Sequence, residues 1–328
     1  MDYLLLTAVV VSFVLTILAL PIWIKKCRDV GLLWEDMNKF GHSKNVASSG
    51  GIVVVMSFIL GVLTYIALKT FVFFGTNNAL EIFSLISVIL IMGIIGLVDD
   101  LLGWKNGGLP NNFRILLALI ASVPLIVINA GTHTINLPIF GIVDFGIIYP
   151  LILIPLGVAG ASTTYNFLAG FNGLEAGQGI LIISFLSFVA YYTGSPWLSI
   201  IGLCMVASLF GFYLFNKYPS KVFPGDILTY SVGALIAGMA ILGNFERIAV
   251  VVFIPYIIEI ILKLRGKLEA HSFGIPTKSG KLKMPYKKIY GLEHLAIYLL
   301  GKNATERKVV YLIYMFQIVF ILIGFIML

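Results

Sequence analysis

The chain has 328 residues, 59% of them hydrophobic and only 11% charged, with a mean hydropathy of +1.03. Soluble domains carry about 25% charged residues, so this composition excludes an ordinary soluble domain and points to a polytopic membrane protein. The net charge of +7 calls for no nucleic-acid partner, because the basic residues follow a membrane topology.

Stretches of roughly 20 mostly apolar residues cross a bilayer. Ten are expected, at about 3–24, 51–74, 83–98, 115–130, 147–165, 180–193, 197–215, 227–243, 248–262 and 309–328. The first has no basic residue before it and no small-residue cleavage site, so it reads as a retained span and not a signal peptide. Lys and Arg accumulate in cytoplasmic loops. With the even-numbered connections outside, only Lys69 and Arg247 of the 22 basic residues lie on the far side. Both termini then face out, and the stretches 25–50, 99–114, 216–227 and 263–308 face the cytoplasm. Cys27 and Cys204 suggest neither a disulfide framework nor a metal site. The chain reads as one all-α integral membrane domain, 1–328, with 263–308 as a cytoplasmic recognition loop.

Three polar features stand at cytoplasmic span ends. The first is Asp99-Asp100, closing the third span in Gly-Leu-Val-Asp-Asp-Leu-Leu-Gly. Adjacent helical residues point about 100° apart, so one carboxylate is expected to bind a cation while the other acts as base or orients a neighbour. A solvated helix end is the plainer account, but acids at a helix C-terminus oppose the helix dipole. The second is Phe223-Pro224-Gly225-Asp226, opening the eighth span. Asp at that position serves as an N-cap in many helices, and its carboxylate can also reach a cation held by Asp99 or Asp100.

The third feature is the glycine-rich stretch 166–179, which holds Asn166, Asn172 and Glu175 and no basic residue. Exposed backbone at membrane depth is tolerated only in a wet cavity or inside protein. The stretch therefore reads as backbone brought close to a ligand, with close helix packing as the alternative. Carboxylate and amide oxygens are hard donors that suit Mg²⁺ or Mn²⁺ and not zinc.

In the last loop, residues 277–283 read as a hairpin turning at Ser279-Gly280. Leu292, Leu295, Ala296 and Leu299 form an apolar stripe at helical spacing. That helix either lies in the membrane interface or packs on the protein's own spans. A basic lid over an acidic, metal-ready floor suits a phosphate ester.

With Asp36-Met37-Asn38-Lys39, these stretches resemble the polyprenyl-phosphate N-acetylhexosamine-1-phosphate transferases, membrane enzymes of ten spans with a cytoplasmic active site. Residues 168–178 are most similar to the eukaryotic and archaeal dolichyl-phosphate GlcNAc-1-phosphotransferase branch, and the resemblance covers about 36–286. It implies transfer of a sugar 1-phosphate from UDP-GlcNAc to dolichyl or another polyprenyl phosphate. The products are UMP and the lipid-linked diphosphate sugar that starts N-glycan assembly.

By the same resemblance Asn166 and Asp226 hold Mg²⁺ on the donor diphosphate, and Asp99 and Asp100 are catalytic acids. Arg114 stands with them, where relatives have a phosphate-binding lysine. The substrate-contacting positions are Lys39, Ser48, Asn172, Glu175, His271, Pro276, Lys278 and Lys281. Asn172 matches a position near the nucleotide, and residues 271–276 occupy the place of a sugar and diphosphate motif. Lys278, Lys281 or Lys283 would replace the arginines of eukaryotic relatives. Ser48 stands where those relatives have a glutamate near the uracil. A phosphate monoester is largely ionised near neutral pH, so direct attack by the acceptor needs no strong base. The short last loop fits an archaeal cell-membrane enzyme, with the endoplasmic reticulum as the site in a eukaryote. The resemblance leaves a homodimer open.

Two alternatives stand beside this reading. One is the same reaction with another UDP-N-acetylhexosamine. The other is a cation- or proton-coupled transporter, for which acids inside spans form a pathway. Glu259 is the only acid placed well inside a span, and Lys263 four residues on suggests a snorkelling pair instead.

Overall fold

The computed structural model describes residues 3–42, 44–75, 77–137 and 141–328 and is mostly helical. Helix α1 (Thr7–Val30) leads through a hairpin of β1 (Leu33–Glu35) and β2 (Lys44–Ala47) into α2 (Gly51–Phe71) and α3 (Ala79–Asn106). Helices α4 (Asn111–Ala121) and α5 (Val123–Val127) precede a second hairpin, β3 (Thr134–Leu137) with β4 (Gly141–Asp144). Then come α6 (Ile154–Tyr165), α7 (Leu174–Tyr192), α8 (Pro196–Asn216), α9 (Asp226–Gly243), α10 (Glu246–Val252) and α11 (Ile254–Arg265). A two-residue pairing of β5 (Ile275–Pro276) with β6 (Leu282–Lys283), then α12 (Leu292–Leu300) and α13 (Glu306–Ile326), complete the chain.

Among the described residues seven helices are long and apolar enough to cross a membrane: residues 4–30, α2, residues 79–104, α7, α8, α9 and α13. The chain is thus a multi-pass membrane protein. The other three expected spans are each divided into two helical pieces: α4 with α5, a wide turn at Tyr149–Leu153 with α6, and α10 with α11. Pro124, Pro155 and Pro255 sit in the first turn of the second piece. Proline has no N–H to donate and crowds the preceding turn, and each division falls where one of these prolines opens the second piece, although α1 runs on through Pro21.

The most buried of the seven is α9, and glycines bring its neighbours onto its backbone. A Cβ at Gly96 of α3 would fall 2.5 Å from the Asp226 carbonyl, and one at Gly233 of α9 would fall 2.5 Å from Ser162 Cα of α6. Backbone contact this close is available only to glycine. It fixes the ends of α3 and α6 beside the start of α9.

Several expectations are corrected by these elements. Helix α3 continues to Asn106 and ends at Gly107, whose φ of +86° is left-handed, so Asp99 and Asp100 lie inside the helix and not at its end. Helix α7 starts at Leu174, so only 166–173 of the glycine-rich stretch is irregular. Gly177 and Gly179 instead let α7 pack against Tyr314 and Tyr165. Asp226 is the first residue of α9 and makes no side-chain cap. Glu259 and Lys263 do pair, at 3.5 Å, but with side chains only 0% and 8% exposed, so the pair is buried and does not snorkel. The stripe on α12 is divided: Leu292 and Ala296 are buried, whereas Leu299 is exposed.

Candidate active site

The ends of α3, α6 and α9 meet the β1–β2 hairpin and the last loop around a cavity of about 340 Å³. Asp99, Asp100, Arg114, Asn166, Glu175, Asp226 and Ser48 all line it. Residues far apart in sequence are thus gathered at one end of the bundle.

Asp100 reaches across from α3 to cap α9. Its Oδ1 accepts the Asp226 N–H at 2.8 Å and its Oδ2 accepts the Ile227 N–H at 3.4 Å. The first N–H groups of a helix lack intrahelical partners, and here a side chain from another helix satisfies two of them. Gly225 permits this approach: its φ is +72°, and a Cβ there would lie 2.9 Å from Asp100 Cγ. Asp99 points elsewhere, as adjacent helical residues must. Its Oδ1 accepts the Leu109 N–H at 2.6 Å and its Oδ2 accepts Arg114 Nη1 at 2.7 Å. Both members of the acid pair are therefore committed to protein partners.

Asp226 differs from them. Its carboxylate is 25% exposed, against 6% for Asp99, and lies 3.9 Å from Arg114 Nη1. Arg114 also donates to Asn111 Oδ1 and, at 3.5 Å, to the Tyr230 hydroxyl. A cation and an open carboxylate therefore face one cavity. Asn166 follows the last residue of α6, and its Oδ1 accepts the Thr229 hydroxyl at 3.0 Å; that hydroxyl lies 3.2 Å from the Asp226 carbonyl. Thr229 couples Asn166 to Asp226, and the sequence reading missed it. Its position three residues after Asp226 on one helix was the available signal.

Among the described residues no three His, Cys, Asp or Glu side chains converge into a metal cage. Mg²⁺ is commonly held by one or two carboxylates, substrate phosphates and water. The Asp226 carboxylate and Asn166 amide oxygen offer hard oxygen donors at this cavity, too few for a cage but compatible with a divalent cation completed by ligand oxygens and water.

The opposite wall is built from 166–173 and the last loop. Gly170, at φ +100°, donates its N–H to Glu175 Oε1 at 2.9 Å, and a Cβ there would fall 2.6 Å from the Phe273 ring. Asn38 joins three segments: its Nδ2 donates to the Gly170 carbonyl at 2.8 Å, and its Oδ1 accepts the Gly274 N–H at 3.2 Å. Asn38 and Phe273 belong to the stretches 36–39 and 271–276 read from the sequence, which gave neither residue a role of its own.

Other expected site residues lie away from the cavity surface. Asn172 is buried, donating from Nδ2 to Asp36 Oδ2 at 3.1 Å and from its N–H to Glu306 Oε1 at 2.9 Å. Lys39 is hydrogen-bonded to Glu306, 3.3 Å from Asp36, and 3.9 Å above the Tyr218 ring. Both belong to a network behind the wall. His271 is exposed, its N–H donating to the Tyr286 hydroxyl at 3.1 Å. Pro276 lies in β5, Lys278 stands 5.9 Å above the Phe40 ring, and Lys281 is exposed. None of these four lines the cavity.

Comparison with known proteins gives a consistent pattern. Residues 82–244 match the family described as "Glycosyl transferase family 4". A Saccharolobus solfataricus protein named "Putative UDP-N-acetylglucosamine--dolichyl-phosphate N-acetylglucosaminephosphotransferase" is 33% identical over 98% of this chain and 96% of its own length. A Sulfolobus acidocaldarius protein of the same name is 31% identical over 97% and 94%. A "Phospho-N-acetylmuramoyl-pentapeptide-transferase" of Halalkalibacterium halodurans is 27% identical over 81% and 86%.

Proposed function

The chain belongs to glycosyl transferase family 4, and from that premise we propose that it transfers N-acetylglucosamine 1-phosphate from UDP-GlcNAc to dolichyl or another polyprenyl phosphate, releasing UMP. It is a membrane-bound phosphotransferase. The near full-length similarity to the two archaeal proteins favours this activity over transport. The cavity is assigned to the cytoplasmic side of a cell membrane, as the distribution of basic residues suggests.

The observation that carries the reading is the pairing of Asp226 and Arg114, 3.9 Å apart, on the lining of a cavity that Asn166 also lines. Two anionic phosphates must approach each other in this reaction, so charge neutralisation and positioning dominate catalysis. Asp226 and Asn166 would hold a divalent cation, with Mg²⁺ the best match to their oxygens; the ion supplies charge neutralisation on the donor diphosphate. Arg114, a planar fork, would orient a phosphate oxygen while Asp99 holds its other side. Asp100 would set the Asp226 backbone. Glu175, Phe273 and Gly170 would shape the sugar and nucleotide wall, with Asn172, Lys39 and Glu306 supporting it from behind. Ser48 would face the nucleotide, and 263–308 would act as the recognition loop.

An apolar groove of about 440 Å³ runs along α6, α9 and α10–α11. Gly157, Gly160 and Ala161 of α6 open its floor, and the next residue after α6 is Asn166. A prenyl chain lying there would bring its phosphate toward the cavity from the membrane. Purified protein given Mg²⁺, UDP-GlcNAc and dolichyl phosphate should release UMP, with other UDP-N-acetylhexosamines giving slower release. Absence of UMP from every UDP-sugar and polyprenyl phosphate would overturn the assignment.

A further inference from the structure

Away from the cavity, α11 and α12 bury a second group of ionisable side chains. Glu259, Glu293 and His294 are fully buried and Lys263 is 7% exposed. Lys263 Nζ lies 3.5 Å from Glu259 Oε1, and Glu259 Oε2 accepts the Leu292 N–H at 2.6 Å. The two carboxyls converge on Gly291, where a Cβ would fall 2.6 Å from Glu293 Oε2 and 2.9 Å from Glu259 Oε1. Burial and the neighbouring Glu259 raise Glu293 well above the usual carboxylate range. Burial and Lys263 push His294 down to about 4.

Buried ion pairs cost several kcal/mol of desolvation per ion, and apolar replacements of equal volume can be more stable. Fold stability alone is therefore a poor reason for this cluster. What sets it apart is the remaining contact of its cation: Lys263 Nζ donates to Ser272 Oγ. Ser272 precedes Phe273, whose ring lies on Gly170 and lines the cavity. The same short segment is tied on its far side by the Gly274 N–H to Asn38.

We propose that Lys263, paired with Glu259, is a positioning residue for the donor site, fixing Ser272 and so setting Phe273 against Gly170. The inference rests on the reading that the cavity takes the UDP-sugar. Loss of a charge-assisted hydrogen bond corresponds to roughly tenfold in an equilibrium. The donor KM of Ser272→Ala should therefore rise about tenfold, with the acceptor KM unchanged and Ser272→Thr restoring the donor KM. Lys263→Met should act similarly, and the double variant should be no worse than the poorer single one, because contacting residues are non-additive.

Hydrogen exchange on the same proteins supplies a readout independent of turnover. Amides of 271–276 should exchange faster in Ser272→Ala, while those at the start of α9 stay protected. An inactive wild type would sink the functional reading and leave exchange to decide the positioning role. Unchanged exchange at 271–276, additive KM effects, or equal rises in both KM values would overturn the proposal. If Lys263→Met fails to fold, the Ser272 pair of variants decides alone.

Discussion

The carboxylate of Asp100 bridges the first two N–H groups of α9, meeting Asp226 N at 2.8 Å and Ile227 N at 3.4 Å. Asp226 therefore owes its place to a residue 126 positions earlier in the chain. Asp99, next to Asp100, holds the Leu109 N–H and the Arg114 side chain instead. The two acids thus have different structural duties, and each duty can be tested separately.

Removing the cap in Asp100→Ala should lower stability by about 1–2 kcal/mol, the usual worth of an N-cap. It should also reduce kcat strongly, because Asp226 loses its support. Asp100→Asn keeps an acceptor oxygen and should retain clearly more of both. Equal inactivation by Ala and Asn, with unchanged melting, would assign Asp100 a chemical role in place of a positioning one.

Arg114→Lys keeps the charge but replaces a fork by a point donor. Arg114 Nη1 meets Asp99 at 2.7 Å and lies 3.9 Å from Asp226 while Nη2 meets Asn111, so lysine loses the second nitrogen of this arrangement. The acceptor KM should rise several-fold, with a smaller change in donor KM. Wild-type kinetics in this variant would show that only the charge matters.

Thr229→Val removes the hydroxyl that lies between Asn166 Oδ1 and the Asp226 carbonyl while keeping the side-chain shape. Loss of a group that orients metal ligands typically costs about 10–100-fold in metal affinity or activity. A Mg²⁺ titration of UMP release should therefore shift to higher concentration, with full activity approached at saturation. An unshifted titration would separate Thr229 from the metal.

At Gly170, φ is +100° and a Cβ would fall 2.6 Å from the Phe273 ring. Gly170→Ala should cost about 1–3 kcal/mol, as expected for a residue forced into a sparsely populated conformation, and raise the donor KM. Thermal unfolding together with donor kinetics checks both parts.

Much of this site was legible in the sequence, for a physical reason. Asp99-Asp100, Asp226 and Asn166 interrupt apolar runs, where polar groups are expensive, and all four line one cavity. What stayed hidden depends on contacts between distant segments. The Asp100 cap needs Gly96 to bring α3 onto α9, and the Lys39–Glu306 pair joins residues 267 apart. Helical spacing recognised Glu259 and Lys263 as a pair but could not reveal that α12 covers them. Span counting missed the helix divisions at Pro124, Pro155 and Pro255, since hydropathy averages over a proline that removes a donor from the hydrogen-bond ladder.

The central claim is that phosphate travels with the sugar. The most direct measurement uses UDP-GlcNAc labelled on its β-phosphate, with polyprenyl phosphate and Mg²⁺, and follows the label in wild type and Asp226→Ala. Wild type should move the label into the lipid fraction, one for one with UMP released, and Asp226→Ala should not. Label left behind in UDP while sugar enters the lipid, or transfer undiminished in Asp226→Ala, would contradict the account.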